Sequence, residues 1–102
     1  MKNLQVKTAT AYYTGGGIYI YTGQLKNGLY LRGCDDWGSI AICNKNTDTE
    51  EADYSDFYDE YLVEEVTGST YKKLFNSVID WIITHKPDGN YLESELQERI
   101  IK

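Results

Sequence analysis

The sequence is poor in the residues that build metal centres and disulfide frameworks. Its 102 residues contain two cysteines, Cys34 and Cys43, and one histidine, His85. Structural zinc sites need four Cys or His ligands, often with a Cys-x-x-Cys pair, and this chain has neither the number nor the spacing. We therefore expect no metal and no cofactor. Because the first residues lack the apolar block of a secretion signal, we expect a cytoplasmic protein with reduced thiols.

Basic charge and long apolar runs are also scarce. Ten basic residues stand against sixteen acidic ones, which gives a net charge of −6. Nucleic-acid binding normally needs the opposite sign, so direct binding to nucleic acid or to an anionic membrane is disfavoured, and a basic protein partner fits better. No apolar run approaches the roughly 20 residues that cross a bilayer. With 41% hydrophobic residues, residues 1–102 are expected to fold as a single domain.

The chain carries no recognisable catalytic motif. A phosphate-binding loop would end in Gly-Lys-Ser/Thr and open a helix, whereas Gly15-Gly16-Gly17 precedes a predicted strand and is interpreted as a turn. His85 has no serine or cysteine partner at a motif spacing. Asp35-Asp36 offers two carboxylates, but the sequence places them in no pocket. We predict that the protein is not an enzyme.

The first half of the sequence predicts an antiparallel meander. Threonine, tyrosine and valine dominate residues 6–14, and the glycines at 15–17 supply the positive φ angles of a tight reversal. The strand that follows ends at Asn27-Gly28, a dipeptide typical of two-residue hairpin turns. The later strands are predicted at residues 18–25, 29–33, 39–43 and 61–66.

A two-residue turn at Asn27-Gly28 would fix which side chains share a sheet face, because it places Leu29 opposite Lys26. One face would then carry six aliphatic residues: Ile18, Ile20, Leu29, Leu31, Ile40 and Ile42. The opposite face would carry the tyrosines of the sheet: Tyr12, Tyr19, Tyr21 and Tyr30.

Helical periodicity is confined to the last third of the chain. Between Tyr71 and His85 apolar residues recur every three or four positions, after a start near Ser69 or Thr70, and Pro87-Asp88-Gly89 ends the pattern. A shorter helix is predicted over residues 91–101, with Leu92, Leu96 and Ile100 on one face. Strands followed by helices are typical of the α+β class. We predict a meander of four to five strands with two C-terminal helices packed on one face.

The most unusual feature is an acidic segment. Nine acids lie between Asp48 and Glu65, and no base lies between Lys45 and Lys72. Their density approaches that of a nucleic-acid strand, about one charge per 3.4 Å, and interleaved aromatic side chains would add apolar anchors. The alternative is a solvated surface, which explains most acidic runs. The predicted partner-binding residues are Asp53, Tyr54, Asp56, Tyr58, Asp59, Glu60, Glu64 and Glu65.

A calcium loop is another interpretation of the start of this segment. Oxygen-bearing side chains alternate over residues 44–50, as in an EF-hand. However, Thr49 occupies the position that demands glycine, and Ser55 stands where a bidentate glutamate is required. The sequence therefore predicts no dedicated calcium site.

Several segments resemble small uncharacterised proteins carried by phages and conjugative elements of Gram-positive bacteria. The resemblance rests on Tyr12–Leu25, Asn27–Tyr30, Asp35–Gly38 and Phe57–Glu65, about half of the chain. Short acidic proteins of such elements are often inhibitors of host defence, including anti-CRISPR proteins and antirestriction DNA mimics. The resemblance therefore implies that class, and it brings no catalytic motif.

Together these observations predict a non-enzymatic inhibitor or accessory protein of a mobile element. It would bind a basic nucleic-acid-binding protein, such as a CRISPR effector or a restriction enzyme, through its acidic surface. An alternative is a self-associating module that forms a homodimer through the tyrosine-rich sheet face. A third is a small-ligand or sugar-binding domain that uses Trp37 and the exposed tyrosines.

Overall fold

The computed structural model describes residues 4–45 and 61–101. These residues form one five-stranded antiparallel sheet, in which the strands lie in chain order, followed by two helices. The α+β prediction is confirmed, and the helices pack on the sheet. The strands are β1 (Val6–Gly15), β2 (Ile18–Leu25), β3 (Tyr30–Cys34), β4 (Ile40–Cys43) and β5 (Leu62–Val66), and the helices are α1 (Gly68–His85) and α2 (Glu93–Glu98).

The turn between β1 and β2 follows the glycine prediction. Gly15 pairs with Ile18, and the two residues between them, Gly16 and Gly17, have φ angles of 63° and 79°. Positive φ at both central positions is what a type I′ hairpin turn requires, and only glycine adopts it without strain. The triple glycine is therefore a turn.

The turn between β2 and β3 differs from the prediction by one residue. Leu25 donates its N–H to the carbonyl of Leu29 (2.8 Å), so the loop has three residues, 26–28. Gly28 has a φ of 89°, as expected where a three-residue loop ends in a left-handed glycine. A slip of one residue turns every side chain of a strand to the opposite face.

The predicted face assignment is wrong for this reason. Tyr21 pairs with Gly33, and Gly33 pairs with Ile40, so Tyr21 lies on the same face as Leu31 and Ile40. Tyr19 and Tyr21 are each 1% exposed and belong to the core under the helices. Ile20 instead lies on the opposite face, together with its partners Tyr12 and Cys34. We call this face the open face. Of the four tyrosines predicted there, the open face keeps Tyr12 and Tyr30.

Helix α1 supplies the other layer of the core. It begins at Gly68, with Thr67 as its N-cap residue, so the predicted cap at Ser69 or Thr70 is wrong. It ends at His85, as predicted, because Lys86 adopts a left-handed φ of 51° and donates its N–H to the carbonyl of Ile82. The buried stripe of the helix is Leu74, Phe75, Val78, Ile79 and Ile82.

Helix α2 is shorter than the sequence pattern predicts. It spans six residues, and of the predicted stripe only Leu96 is buried, whereas Leu92 is 60% and Ile100 is 38% exposed. The backbone of Leu92 is extended, with φ −109° and ψ 126°, and its N–H is donated to the hydroxyl of Tyr19 (3.1 Å). Leu92 and Ile100 lie outside the six-residue helix, so Leu96 is the one residue of the predicted stripe that the helix carries.

Candidate functional site

The connection between β4 and β5 is the most unusual part of the backbone path. These strands are antiparallel neighbours, with Ile40 paired to Val66, and two to five residues normally join such a pair. Here the connection runs from residue 44 to residue 61. Connections this long between neighbouring antiparallel strands are uncommon in compact domains, and long connections often carry function.

Both ends of this connection are held together. The N–H of Asn44 donates to the carbonyl of Tyr61 (3.0 Å), which extends the hairpin one step beyond the strands. The ammonium of Lys45 lies 4.9 Å from the centre of the Tyr61 ring, within cation–π range. Tyr61 and Leu62 also pack against Ala41 and Cys43, both fully buried. The two ends of the connection therefore lie side by side at one fixed place.

Strand β5 carries the described part of the predicted partner-binding set. It is the last strand of the sheet, so one of its edges has no strand partner among the described residues. Glu65 is exposed and accepts a hydrogen bond from the hydroxyl of Ser39 (2.9 Å), which is itself 5% exposed. Val63 is 53% exposed beside it. Glu64 lies between them, on the face of Ile42.

The other predicted partner-binding residues lie outside the described residues. These are Asp53, Tyr54, Asp56, Tyr58, Asp59 and Glu60. Glu64 and Glu65 are neighbours on β5 but point to opposite faces of the sheet, since Glu64 pairs with Ile42 and Glu65 with Ala41. The other six positions remain predictions from the sequence. Of the alternating side chains weighed and rejected as a calcium loop, Asn44 is exposed, and those at residues 46–50 lie outside the described part.

Charge is unevenly divided along the chain. Residues 46–60 contain seven acids and no base, whereas the remaining 87 residues contain nine acids and ten bases. The negative charge of the protein is therefore carried by the β4–β5 connection and not spread over the domain. A concentrated charge steers an oppositely charged partner more effectively than the same charge spread over the surface.

The structure also reveals a polar cluster that the sequence did not predict. Asp35, in the turn after β3, accepts hydrogen bonds from the Tyr21 hydroxyl (2.6 Å) and the Tyr19 N–H (2.9 Å). The tyrosine hydroxyl binds Oδ1, whereas Oδ2 accepts both from the Tyr19 N–H and from Nε of Arg99 (2.8 Å). Arg99 in turn donates to the carbonyls of Glu95 and Gly17, both at 2.7 Å. Since Asp35 and Arg99 stand 64 positions apart, no local sequence signal could have paired them.

The chemistry of this cluster is that of a structural anchor. Burial, and then the hydrogen bond to the Asp35 carboxylate, raises the pKa of Tyr21 above its ordinary value, so its hydroxyl stays a donor. Burial alone would lower the pKa of Arg99, but the hydrogen bond and the charge of Asp35 outweigh it and raise that pKa. The Asp35 carboxylate accepts hydrogen bonds from three donors, so its oxygens are already engaged in holding the fold together.

The cysteines remain separate. Cys34 and Cys43 are both free thiols, and they lie at opposite ends of the β3–β4 hairpin, since Cys43 pairs with Tyr30 at the start of β3. Burial raises the pKa of Cys43 to about 11, with the charge of Arg32 acting weakly in the other direction. A thiol with such a pKa stays protonated near neutral pH and is a poor nucleophile.

Within residues 4–45 and 61–101, no group of three or more His, Cys, Asp or Glu side chains lies close enough to hold a metal ion. None of the helices described there is long and apolar enough to cross a membrane.

The fold and this surface define a class of protein: a two-layer α+β domain with an acidic strand edge and an acidic connection anchored beside it. No family model matches the chain. No curated protein and no solved structure matches it either.

Proposed function

We propose that the protein is a non-enzymatic inhibitor or accessory protein of a mobile element. In the host cytoplasm, it binds a basic nucleic-acid-handling protein, such as a CRISPR effector or a restriction enzyme, and blocks its nucleic-acid site by occupying it. The binding surface comprises β5 and the acidic β4–β5 connection. Its charge is carried by Asp53, Asp56, Asp59, Glu60, Glu64 and Glu65, with Tyr54 and Tyr58 as aromatic anchors.

The observation that carries this proposal is the combination of charge and anchorage at the β4–β5 connection. Seven acids without a base occupy residues 46–60, in a connection far longer than its two strands need. The Asn44–Tyr61 hydrogen bond and the packing of Tyr61 on the domain fix both ends. A solvated loop needs no such anchorage, whereas a docking segment gains affinity from it because less freedom is lost on binding.

The outer edge of β5, which has no strand partner within residues 4–45 and 61–101, offers a second kind of contact. Partner chains commonly add a strand to such an edge, and the hydrogen bonds of the main chain then supplement the side-chain contacts. Glu65 and Val63 give the β5 edge a charged and an apolar group side by side. This arrangement suits a basic partner segment and disfavours pairing with a second copy of β5, because the glutamates would repel each other.

The tyrosine-face alternative receives less support. A homodimer through that face would need exposed rings, but Tyr19 and Tyr21 are buried under the helices. Tyr12, at 39% exposure, and the half-buried Tyr30 remain on the open face. Two separated tyrosines provide much less contact area than the four that the alternative assumed.

The test is affinity capture with a matched pair of variants. The acidic variant carries Asp53→Lys, Asp56→Lys and Asp59→Lys. The control carries Asp80→Lys, Asp88→Lys and Glu98→Lys, three exposed acids elsewhere in the chain, so its net charge changes equally. Tagged proteins are incubated with a nuclease-treated lysate of a Gram-positive bacterium at low salt, and the bound proteins are released with high salt.

We expect wild type and control to retain the same basic protein and to release it at high salt, whereas the folded acidic variant retains none. Equal capture by both variants would contradict the proposal, because the position of the replaced acids would then have no effect on binding. Recovery of the bait alone would also contradict it and would return the acidic segment to the role of a solvated surface.

A further inference from the structure

A cleft of about 330 Å³ lies where the end of β1 meets the segment that leads into α2. Its volume falls within the range of about 300–1,000 Å³ that is usual for small-molecule sites. The described residues that line it are three tyrosines, one aliphatic side chain and two polar residues: Tyr13, Tyr19, Tyr91, Leu92, Asn90 and Glu95. None of them belongs to β5 or to the acidic connection beside it.

The hydrogen bonds that close the edge of β1 also assemble this cleft. The N–H of Tyr13 donates to the carbonyl of Asn90 (2.7 Å), which brings Tyr91 and Leu92 beside the end of β1. Tyr13 meets Tyr19 of β2 edge-on, with the ring centres 5.4 Å apart. The three rings therefore come from two strands and from the C-terminal segment.

A ligand in this cleft would touch its walls and not its floor. Tyr13 is 42% and Leu92 is 60% exposed, whereas Tyr91 and Glu95 are half-buried. Tyr19 is 1% exposed, so it forms the floor and offers no surface of its own. Isolated exposed apolar side chains are normal, but two of them at one cleft indicate a surface that can bind something.

The hydrogen-bonding groups of the cleft are largely engaged. The hydroxyl of Tyr13 accepts from the N–H of Gly17 (3.0 Å), and the hydroxyl of Tyr91 donates to the carbonyl of Pro87 (2.6 Å). The N–H and the carbonyl of Asn90 both bond to β1. Rings held in this way are pre-organised, and they offer a ligand their π surface more than their hydroxyls.

The charge around the cleft is negative. Glu95 is the only charged residue of the described lining. Burial, and then the charges of Glu93 and Asp88, raises the pKa of Tyr91, so further carboxylates act on this ring. Lys86 lies 3.7 Å from Glu93 and offsets part of that charge. A cation is therefore favoured in the cleft and an anion is disfavoured.

Arg99 makes a cation–π contact with the floor of the cleft. Its guanidinium carbon lies 4.9 Å from the centre of the Tyr19 ring, within the usual range of such contacts. The Asp35 carboxylate lies 2.8 Å from Nε of the same guanidinium and balances its charge. Glu95 thus remains the charge that a ligand in the cleft would meet.

These features select among cations. A primary ammonium brings three N–H donors that need acceptors, and the accessible walls are mostly rings and the Leu92 side chain. A trimethylammonium group carries its charge without any N–H. Its methyl groups pack on aromatic and aliphatic surface, and the ring faces attract its charge.

We propose that this cleft binds the trimethylammonium group of an organic cation. Tyr13 and Tyr91 contact it through their rings, Leu92 packs against its methyl groups, and Glu95 supplies the opposite charge. This activity is independent of the acidic surface and of the function proposed above. With two accessible rings in an open cleft, the dissociation constant falls in the millimolar range.

The test is an NMR titration of the ¹⁵N-labelled protein at constant ionic strength. Choline presents the group on a free solute, and an acetylated trimethyllysine amide presents it as a protein side chain would. The neutral comparator is 3,3-dimethylbutan-1-ol, which has the shape of choline without its charge. We expect saturable shifts of the Tyr13, Leu92 and Glu95 amide signals with at least one cation, and the tighter of the two identifies the source of the group.

The dissociation constant of the neutral alcohol should be at least about threefold higher than that of choline, because it lacks the cation–π attraction. No saturable shift with either cation up to about 50 mM, well above a millimolar dissociation constant, would overturn the proposal. Equal binding of choline and the alcohol would also overturn it, since the cleft would then select shape and not charge.

Two matched pairs of variants locate the site. Tyr13→Leu removes a ring from the cleft, whereas Tyr12→Leu removes a ring of similar exposure, 39%, from the open face. Glu95→Gln and Glu98→Gln each remove one charge from α2, but of the two only Glu95 lines the cleft. We expect the dissociation constant of the tighter cation to rise about three- to tenfold in Tyr13→Leu and Glu95→Gln, and to stay unchanged in the two controls.

Glu95→Gln keeps the fold, because Arg99 bonds the backbone carbonyl of Glu95 and not its carboxylate (2.7 Å). The amide spectrum of each variant verifies this directly. If folded Glu95→Gln binds the cation as tightly as wild type does, or if Glu98→Gln weakens binding equally, the cleft does not hold the cation and the proposal fails.

Discussion

The two edge strands of the sheet, β1 and β5, differ in whether another described segment of the chain pairs with them. At the β1 edge the chain closes on itself, because Asn90 accepts from the N–H of Tyr13 (2.7 Å) and donates to the carbonyl of Ala11 (3.0 Å). Arg99 then anchors the same C-terminal segment to Asp35, and Asn76 makes two hydrogen bonds, both 2.8 Å, to the backbone of Ile101. At the β5 edge no described segment of the chain pairs with the outer side of the strand.

Because of this difference, we expect the β1 edge to contribute to the stability of the fold and the β5 edge to contribute to binding. An open strand edge invites pairing with other chains, and proteins close such edges or charge them. This protein closes the β1 edge with its own backbone, whereas the short and charged β5 edge has no strand partner in the part of the chain that the structure describes. Substitutions at the β1 edge should therefore alter the free energy of unfolding, whereas substitutions at the β5 edge should alter binding.

The largest effect is expected for Gly89→Ala. A Cβ atom at this position would lie 2.5 Å from the Thr10 hydroxyl and 2.6 Å from the Ala11 carbonyl, so Asn90 could not keep its place on β1. We expect a loss of about 2–3 kcal/mol in the free energy of unfolding, measured by urea denaturation. Asp88→Ala is the control, with an expected change under about 0.5 kcal/mol; equal losses would show that the β1 edge is not closed by this segment.

A smaller loss is expected for Asp35→Asn. The neutral amide keeps one acceptor oxygen but removes the charge that faces Arg99, whose side chain is 21% exposed. Because the pair is partly screened by water, we expect a loss of about 2 kcal/mol. Asp36→Asn, at the exposed neighbouring position, should change the stability by less than about 0.5 kcal/mol. A similar stability for both variants would mean that the Asp35–Arg99 pair does not fix the C-terminal segment.

The third prediction concerns alkaline pH. Because burial and Asp35 raise the pKa of Tyr21 above its ordinary value of 10.0, the unfolded state loses this proton first. The stability that Tyr21 contributes is complete below about pH 10 and is lost progressively above it. In Tyr21→Phe the decline of unfolding free energy above pH 10 should be shallower, by up to about 1.4 kcal/mol per pH unit. Parallel slopes in denaturation series at several pH values would contradict this.

The smallest effect on stability is expected at β5. Glu65→Gln keeps an oxygen that can accept from Ser39 and removes one exposed charge, so the free energy of unfolding should change by less than about 0.5 kcal/mol. Binding to the captured partner should weaken, mainly through a slower association rate. Surface plasmon resonance at two salt concentrations measures this, and an unchanged rate would remove β5 from the binding surface.

The sequence predicts the order of elements because each element has a strong local signal. The triple glycine, the apolar stripe of α1 and Pro87-Asp88-Gly89 act within a few residues, and the structure confirms all three. The register at Asn27-Gly28 is less determined, because this dipeptide fits both a two-residue and a three-residue loop. That single ambiguity was enough to turn over β2 relative to β3, which moves Tyr19 and Tyr21 into the core and Ile20 to the open face, while Leu31, Ile40 and Ile42 share one face as predicted.

The candidate sites also differ in how far the sequence alone predicts them. The acidic segment is visible in the sequence because charge is a local property, and the structure adds where Glu64 and Glu65 stand. The Asp35–Arg99 anchor depends on a contact between residues 64 positions apart. It could not be predicted from a local sequence signal.

The central claim is that the acidic surface occupies a nucleic-acid site, and a displacement measurement tests it most directly. Fluorescently labelled nucleic acid is bound to the captured basic partner, and this protein is titrated in while anisotropy is followed. We predict that the nucleic acid is released as the complex forms, and that the Asp53→Lys, Asp56→Lys, Asp59→Lys variant releases none. A ternary complex, in which the partner holds both this protein and the nucleic acid, would contradict the claim.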